Sequence, residues 1–520
     1  MKNMMKYFCL AVLAFAATAL TSCEKDEPAY SGDGVHFSTT VKLDGSTKAL
    51  DAGGHKTFAA GEQIAVIYMN NSGETVKAVS AALTDGDIAS SGKVAKFSVE
   101  LENPDKSVDV TYIYPAAMAN SDGSMADIST QDGTLESLSS SLDYCTFTGA
   151  WSAGNLPANV TLTNELAVCK FTVKSYGVTD ITSSITSFTV NDGSHTYTIT
   201  RSAAPGPIYV AMLPVSNATI SFTANNGTTF KSNVTGKSLA ASNMYPITLT
   251  MSGLFTVNSS NKKVLFSRGN LRATTSNKGT SWTWAFAEHQ WDKVGDAVAN
   301  NCITSNKTVS TNGTVDLFGW STSETYLGIN KTNSNNDEFE GAFVDWGTHN
   351  DVKAGIGTGW YTLTGGEWYY LFGTDSEASK RRSTDSGKHF CKAKVNGVFG
   401  VILLPDDWST TYYTLYNCDE TSARNFDDAN VGNIISLSDW TTYLESHGAV
   451  FLPCAGQRNS NNVVNAPNGQ VHYWSATSGA NTTGASANAN HVKADGNGVA
   501  ANTGAGRSNG FSVRLVRDAN

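Results

Sequence analysis

From Val35 onward, short apolar-rich runs alternate with gaps rich in Ser, Gly, Asp and Asn. Within the runs the apolar positions recur every second residue, which predicts half-buried strands joined by turns. Ile64 to Tyr68, entered from a turn at Phe58 to Gly61, reads as a strand, and Val108 to Tyr114 reads as another, stopped by Pro115. Further strands are expected at Cys169–Val173, Ser187–Val190, Tyr197–Thr200, Ile208–Leu213, Thr219–Thr223 and Tyr245–Thr250. Asn191-Asp192-Gly193-Ser194 separates two of them and predicts a hairpin, because Gly tolerates the positive φ of a tight turn. Short strands at regular spacing predict β-sandwiches.

The texture changes at Gly253. Aromatic residues become dense, and two helix starts stand out. Thr364-Gly-Gly-Glu367 is a capping box ahead of Trp368 to Phe372, and Ser436-Leu-Ser-Asp439 precedes Trp440 to Glu445, with Gly448 placed to end that helix. Phe255–Val257 with Lys263–Leu271 predicts a hairpin, and strands are expected at Val398–Leu404, Ala449–Leu452 and Phe511–Val516. Helices among antiparallel strands predict an α+β unit. The fold class expected is therefore mostly β: two N-terminal β-sandwiches followed by an α+β domain. The boundaries expected are 1–22, 23–33, 34–150, 151–252 and 253–520.

Composition adds an address. The first residues carry Lys2 and Lys6, then an apolar stretch from Phe8 to Leu20, the form of an export signal. It ends Leu20-Thr21-Ser22-Cys23, which resembles a bacterial lipobox and implies lipidation at Cys23, with palmitate among the acyl chains. Glu24-Lys25-Asp26-Glu27 then resembles the acidic export signal of surface lipoproteins, implying display on the outer membrane through a lipid anchor. The chain holds eight cysteines. Cys9 falls in the signal, and Cys145, Cys169, Cys302, Cys391, Cys418 and Cys454 are scattered without a CxxC pair, leaving free thiols and bridges equally open. A formal charge of −10 and no basic stripe argue against nucleic acid as a partner.

Segments in the first half resemble the fimbrillin-like (Mfa-like) family of surface lipoproteins: KTFAAGEQIAVIY from Lys56, YIYPAAMA from Tyr112, LTNELAVCKFTV from Leu162, PIYVAMLP from Pro207 and NMYPITLTM from Asn243. The resemblance implies two sandwich domains serving as adhesin stalk or pilus subunit, with other fimbrial subunits as partners. The second half resembles C-type-lectin-like domains, related in pattern to the Fibrobacter-type major paralogous domain and more remotely to formylglycine-generating enzymes. WAFAEHQWDKVGD from Trp284, VDLFGWSTS from Val315, FVDWG from Phe343, VNGVFGVILLPDDW from Val395, GAVFLPCAGQR from Gly448, HYWSAT from His472 and GFSVRLVRD from Gly510 carry it. The sugar tripeptides of calcium-dependent lectins are missing, which argues against calcium-dependent sugar binding and leaves any other calcium requirement open.

No catalytic or cofactor motif is present. Asp406-Asp407 reads as a loop cap, Glu288-His289 as structural, and Asp345, His349 and Asp351 lack the definition of a metal site. Neither enzyme activity nor a cofactor is expected.

The candidate binding residues lie in the last stretch, where Asn459 to Val492 holds no Asp, Glu, Lys or Arg. They are Asn459, Asn461, Asn462, His472, Tyr473, Trp474, Asn481, the run Ala487-Asn488-Ala489-Asn490, His491, Asn497, Asn502, Ser508 and Asn509. Small polar side chains on loops offer adaptable hydrogen bonds to a protein or glycan ligand on a host or neighbouring cell, and an exposed Tyr473-Trp474 would stack on a sugar. Most positions from Gln457 to Gly510 are also reachable from an Asn codon by changing its adenines. In this the tract resembles the variable proteins of diversity-generating retroelements; loop-forming preference alone explains the same residues.

Overall fold

The computed structural model describes residues 34–43, 57–177, 179–294, 311–329, 339–373, 383–458 and 464–519. The expected signal, Cys23 and the acidic tether fall outside the described residues, as do Cys302, Asn459, Asn461 and Asn462. Strands dominate, and their faces follow the period-2 pattern. Along Val94–Glu102, Ala95, Phe97, Val99 and Leu101 are buried while Lys96, Glu100 and Glu102 face solvent.

The first β unit is an eight-stranded sheet in the order Thr75–Val79, Ala65–Met69, Val110–Tyr114, Cys145–Gly149, Asn159–Asn164, Gly34–Leu43, Val94–Glu102, Ile88–Ala89. Its two halves face each other: Val41, Phe97 and Leu101 from one share a core with Val66, Val110 and Tyr114 from the other. The second unit runs Thr179–Asp180, Ala167–Ser175, Met244–Gly253, Thr229–Leu239, Val215–Asn225, Ser187–Asn191, Thr196–Thr200, Thr130–Gln131, with Ile208–Met212 also paired to Ala167–Ser175. Phe171 lies 5.1 Å from Phe188 and 5.5 Å from Phe222 at its centre. The expected hairpin forms, with Asn191 paired to Thr196 and Gly193 at φ 93°.

The expected break between residues 150 and 151 is corrected by the path of the chain. Ala116, Met118, Ile128 and Leu138 pack into the second core, and Thr130–Gln131 pairs with Thr196–Thr200. The chain then returns to the first unit through Cys145–Gly149 and Asn159–Asn164 before entering the second for good at Leu166. Buried Gln131 holds the crossing segment by donating to Ala211 O at 2.7 Å and accepting from Ala211 N at 2.9 Å. Hydrophobicity marks strands but not their sheet, so the interleaving carries no signal in the pattern.

The C-terminal unit closes on itself: Lys263–Phe266 pairs with Phe255–Thr256 on one side and with the last strand, Val516–Asp518, on the other. A four-stranded sheet (Ile434–Ile435, Phe390–Val395, Val398–Leu403, Val450–Pro453) and a three-stranded one (Val471–Ser478, Asn488–Asp495, Gly498–Gly506) form its body. The helix Gly365–Phe372 starts at the expected capping box: Glu367 N donates to Thr364 Oγ1 at 3.2 Å, and Thr364 N to Glu367 Oε2 at 2.8 Å. The segment Leu437–His447 starts at Ser436 and ends at Gly448 (φ 80°), but its turns are widened over Trp440–Leu444 and tightened over Glu445–His447.

Asp406 and Asp407 prove to be fasteners. Asp406 accepts from Thr256 N at 3.0 Å and Thr256 Oγ1 at 2.7 Å, and Asp407 accepts from Thr229 N of the second β unit at 2.5 Å. Ser175 Oγ donates to Glu445 O at 2.6 Å, and Tyr176 OH to Gly448 O at 2.7 Å. Backbones meet at the same place: a Cβ on Gly253 would lie 2.9 Å from Gly448 Cα and from Gly448 O. Gly253→Ala is therefore expected to pry the contact apart and lower stability by about 1–3 kcal/mol, read as a drop in urea midpoint; an unchanged midpoint would show the junction to be loose.

Candidate ligand-binding surface

The three-stranded sheet Val471–Ser478, Asn488–Asp495, Gly498–Gly506 carries the candidate residues, and its middle is buried on both faces. Val471, Tyr473, Val492, Ala494 and Ala501 join the core that includes Trp368 and Leu371 of the helix Gly365–Phe372. Trp474 and Ala489 join the opposite core with Trp320, Trp346 and Phe511. Alternation along the strand thus sends consecutive large side chains into two cores.

This corrects part of the expected site. Tyr473 and Trp474 are 0% and 1% exposed, and His472, His491 and Ser508 are buried too. Tyr473 OH donates to Asn270 Oδ1 at 2.9 Å, and Trp474 Nε1 donates to Phe318 O at 2.6 Å. The rings of His472 and His491 sit 4.6 and 4.5 Å from that of Phe511. His491 Nδ1 donates to Thr503 O at 2.9 Å, while His472 Nδ1 and His491 Nε2 have no hydrogen-bond partner among the described residues. Burial disfavours the imidazolium, pushing His472 down to about 4 and His491 down to about 3. These rings pin the tract and present nothing to a ligand. Ala487 and Ala489 are likewise buried small fillers.

The remaining candidates reach solvent to different degrees: Asn481, Asn497 and Asn502 are exposed, and Asn488, Asn490 and Asn509 are half-buried. Two groups come together at one end of the sheet. Asn490 Nδ2 donates to Asn502 Oδ1 at 2.8 Å, and both border Gly365 at the start of the helix Gly365–Phe372, where a Cβ would strike Asn502. Gly365 N donates to Thr477 Oγ1 at 2.9 Å. Beside them, Asn488 N donates to Asn481 O at 2.8 Å and Asn481 N to Asn488 Oδ1 at 3.1 Å, closing the exposed loop Ser478–Ser486. Asn497 lies at the opposite, Asp495–Gly498 turn of the hairpin and stands apart from this group.

Three contributors lie outside the expected set. Arg507, fully buried, donates from Nη1 to Phe339 O at 2.7 Å and from Nε to Asn488 O at 3.1 Å, and lies 4.2 Å over the Trp320 ring. Glu340 accepts from Gly484 N at 2.7 Å, and Gly365 admits Asn502. The capping box did mark Gly365 as a helix start; nothing in the sequence marked Arg507 as the loop's support. The outcome is a rim of neutral amides and hydroxyls on a fixed base, suited to hydrogen-bonded recognition. Asp345 and His349 are occupied structurally: Asp345 accepts from Gly347 N and Thr362 N, and His349 Nδ1 accepts from Asp351 N.

No protein-family model and no curated protein matches the chain. Solved structures do. A fimbrial assembly protein from Parabacteroides distasonis is 11% identical, covering 44% of this chain and 95% of its own, with a TM-score of 0.25. A fimbrial protein from Bacteroides ovatus is 11% identical, covering 94% of this chain and 99% of its own, with a TM-score of 0.23. The tip fimbrial protein Mfa3 from Porphyromonas gingivalis, truncated at its C-terminus, is 10% identical over 42% of this chain and 95% of its own, at 0.22. At such scores the likeness decides no residue's role.

The histidine pair gives a pH test. Between pH 6.5 and their depressed folded values the unfolded chain binds protons that the folded rings refuse, so stability falls with acid over that window and not above it. Each ring contributes a slope of at most about 1.4 kcal/mol per pH unit. Urea midpoints at pH 7 and pH 4.5 should differ less in His491→Gln than in the parent chain; equal differences would mean the ring titrates freely in the folded state.

Proposed function

We propose that this chain is a cell-surface adhesin whose C-terminal unit binds a protein or glycan through the rim formed by Ser478–Ser486, Asn488, Asn490 and Asn502. One observation carries the reading: the loop has no charged side chain of its own, yet Glu340 holds its backbone at Gly484 N and buried Arg507 holds that of the adjoining Asn488. A fixed loop binds with less ordering entropy than a floppy one, and its side chains can vary without touching the core. That separation suits a surface rewritten by adenine-directed mutagenesis, which the proposal includes. The two β units act as the spacer and Cys23 as the lipid attachment on the outer membrane. No helix among the described residues is long and apolar enough to cross a membrane. The role proposed is binding, without a reaction.

A second reading, an accessory or tip subunit of a pilus, is favoured by the sheet edge at Thr75–Val79, which among the described residues pairs on one side only and leaves Val79 45% exposed. Such an edge can accept an added strand.

A screen of the protein against glycans and surface proteins tests the first reading. The double variant Asn481→Ala/Asn502→Ala should weaken the selected ligand about tenfold or more with an unchanged melting temperature, because these side chains face solvent. Binding that survives this change but disappears in Val79→Lys, together with fibres in solution, would favour the pilus subunit instead.

A further inference from the structure

A second concave surface lies between the second β unit and the C-terminal unit, built from residues other than the rim. It encloses about 460 Å³, within the range typical of small-ligand sites. Three cations line it, Lys237, Arg268 and Arg517, with no Asp or Glu among the lining residues. In a chain of formal charge −10 this is an unusual local balance. None of the three forms an ion pair with another described residue.

Arg517 gives the clearest sign of a missing partner. Its guanidinium lies 5.2 Å from the Trp360 ring centre, and its Nε is buried with no hydrogen-bond partner among the described residues. Burial pulls its pKa below the usual range, with no facing carboxylate to restore it. A buried donor left unmade costs about 1–3 kcal/mol, so the protein itself satisfies this guanidinium only in part. Beside it, Phe286 and Trp360 form an edge-to-face pair at 4.9 Å, both half-exposed. The Trp360 ring is fixed by Nε1 donating to Ile356 O at 3.0 Å. Asn233, Thr235 and Thr358 add neutral donors and acceptors along the wall.

Each feature selects a part of one ligand. Guanidinium forks match a planar carboxylate, aromatic rings match the apolar face of a pyranose, and hydroxyl and amide walls match its hydroxyls. We propose that this groove binds a carboxylate-bearing sugar, with the ring against Phe286 and Trp360 and the carboxylate held by Arg517 and Arg268. This goes beyond the rim reading and does not depend on it.

The test is titration calorimetry of the full chain with trigalacturonic acid and with N-acetylneuraminic acid, the two common sources of a sugar carboxylate, and with maltotriose and inorganic phosphate as controls. At least one acidic sugar should bind while maltotriose does not. Arg268→Gln and Trp360→Leu should each weaken it tenfold or more, with the circular dichroism spectrum unchanged; Arg268 is half-exposed, so its loss should spare the fold. Equal binding of maltotriose, equal binding of phosphate, no binding of either acidic sugar at millimolar concentration, or affinity indifferent to both variants would each overturn the proposal.

Discussion

Everything in the C-terminal unit leans on one buried cation. Arg514 is 1% exposed and donates from Nε to Asn270 Oδ1 at 3.0 Å, from Nη1 to Ser267 O at 3.1 Å and from Nη2 to Phe451 O at 2.6 Å. Asn270 Oδ1 also accepts from Tyr473 OH. One guanidinium therefore joins the loop after Lys263–Phe266, the four-stranded sheet and the three-stranded sheet. Its oxygens are mostly neutral, so the charge is solvated by the protein in place of water. Taking away a partner would leave one of its buried donors unmade, which costs about 1–3 kcal/mol.

The same network continues to the second β unit. Gln290 Nε2 donates to Glu445 Oε1 at 3.1 Å, and Phe451 N donates to Gln290 Oε1 at 2.7 Å. Glu445 is buried, its carboxyl pushed up by desolvation, and it accepts from Thr179 Oγ1 at 2.7 Å. Polar groups buried this deeply are tolerable only when matched, and matching demands one relative placement of the parts. The chain thus uses buried hydrogen bonds to specify how the C-terminal unit sits on the second β unit.

How far the sequence foretells this follows from what each signal encodes. Strand positions such as Val94–Glu102 are legible because alternation is a local property. Both helix starts are legible because Thr364 and Ser436 bind amides only three residues away. The crossing segment Ala116–Leu142 is not legible, because its partner strand is a tertiary fact. The burial of Tyr473 and Trp474 is misjudged for a related reason: a polar tract suggests exposure, while a strand between two cores hides both of its faces whatever its neighbours are. Arg507 and Arg514 look like ordinary solvated charges in the sequence RSNGFSVRLVR, and only the structure assigns them carbonyl oxygens.

The proposed role, a tethered binder, would make a mechanical demand on this arrangement. If ligand is held near Asn502 and the chain is anchored ahead of Gly34, tension must pass from the C-terminal unit into the β units. The covalent route runs only through Gly253 and Leu254, between Met244–Gly253 and Phe255–Thr256. Beside it stand the bonds from Ser175, Tyr176, Thr179 and Thr229 to Glu445, Gly448 and Asp407. These act in parallel with the peptide link, so force is shared and does not swing the unit about a single hinge. The proposed rim and the cationic groove would then keep fixed angles to the second β unit, as the proposed binding role requires for a rigid loop to save entropy at contact.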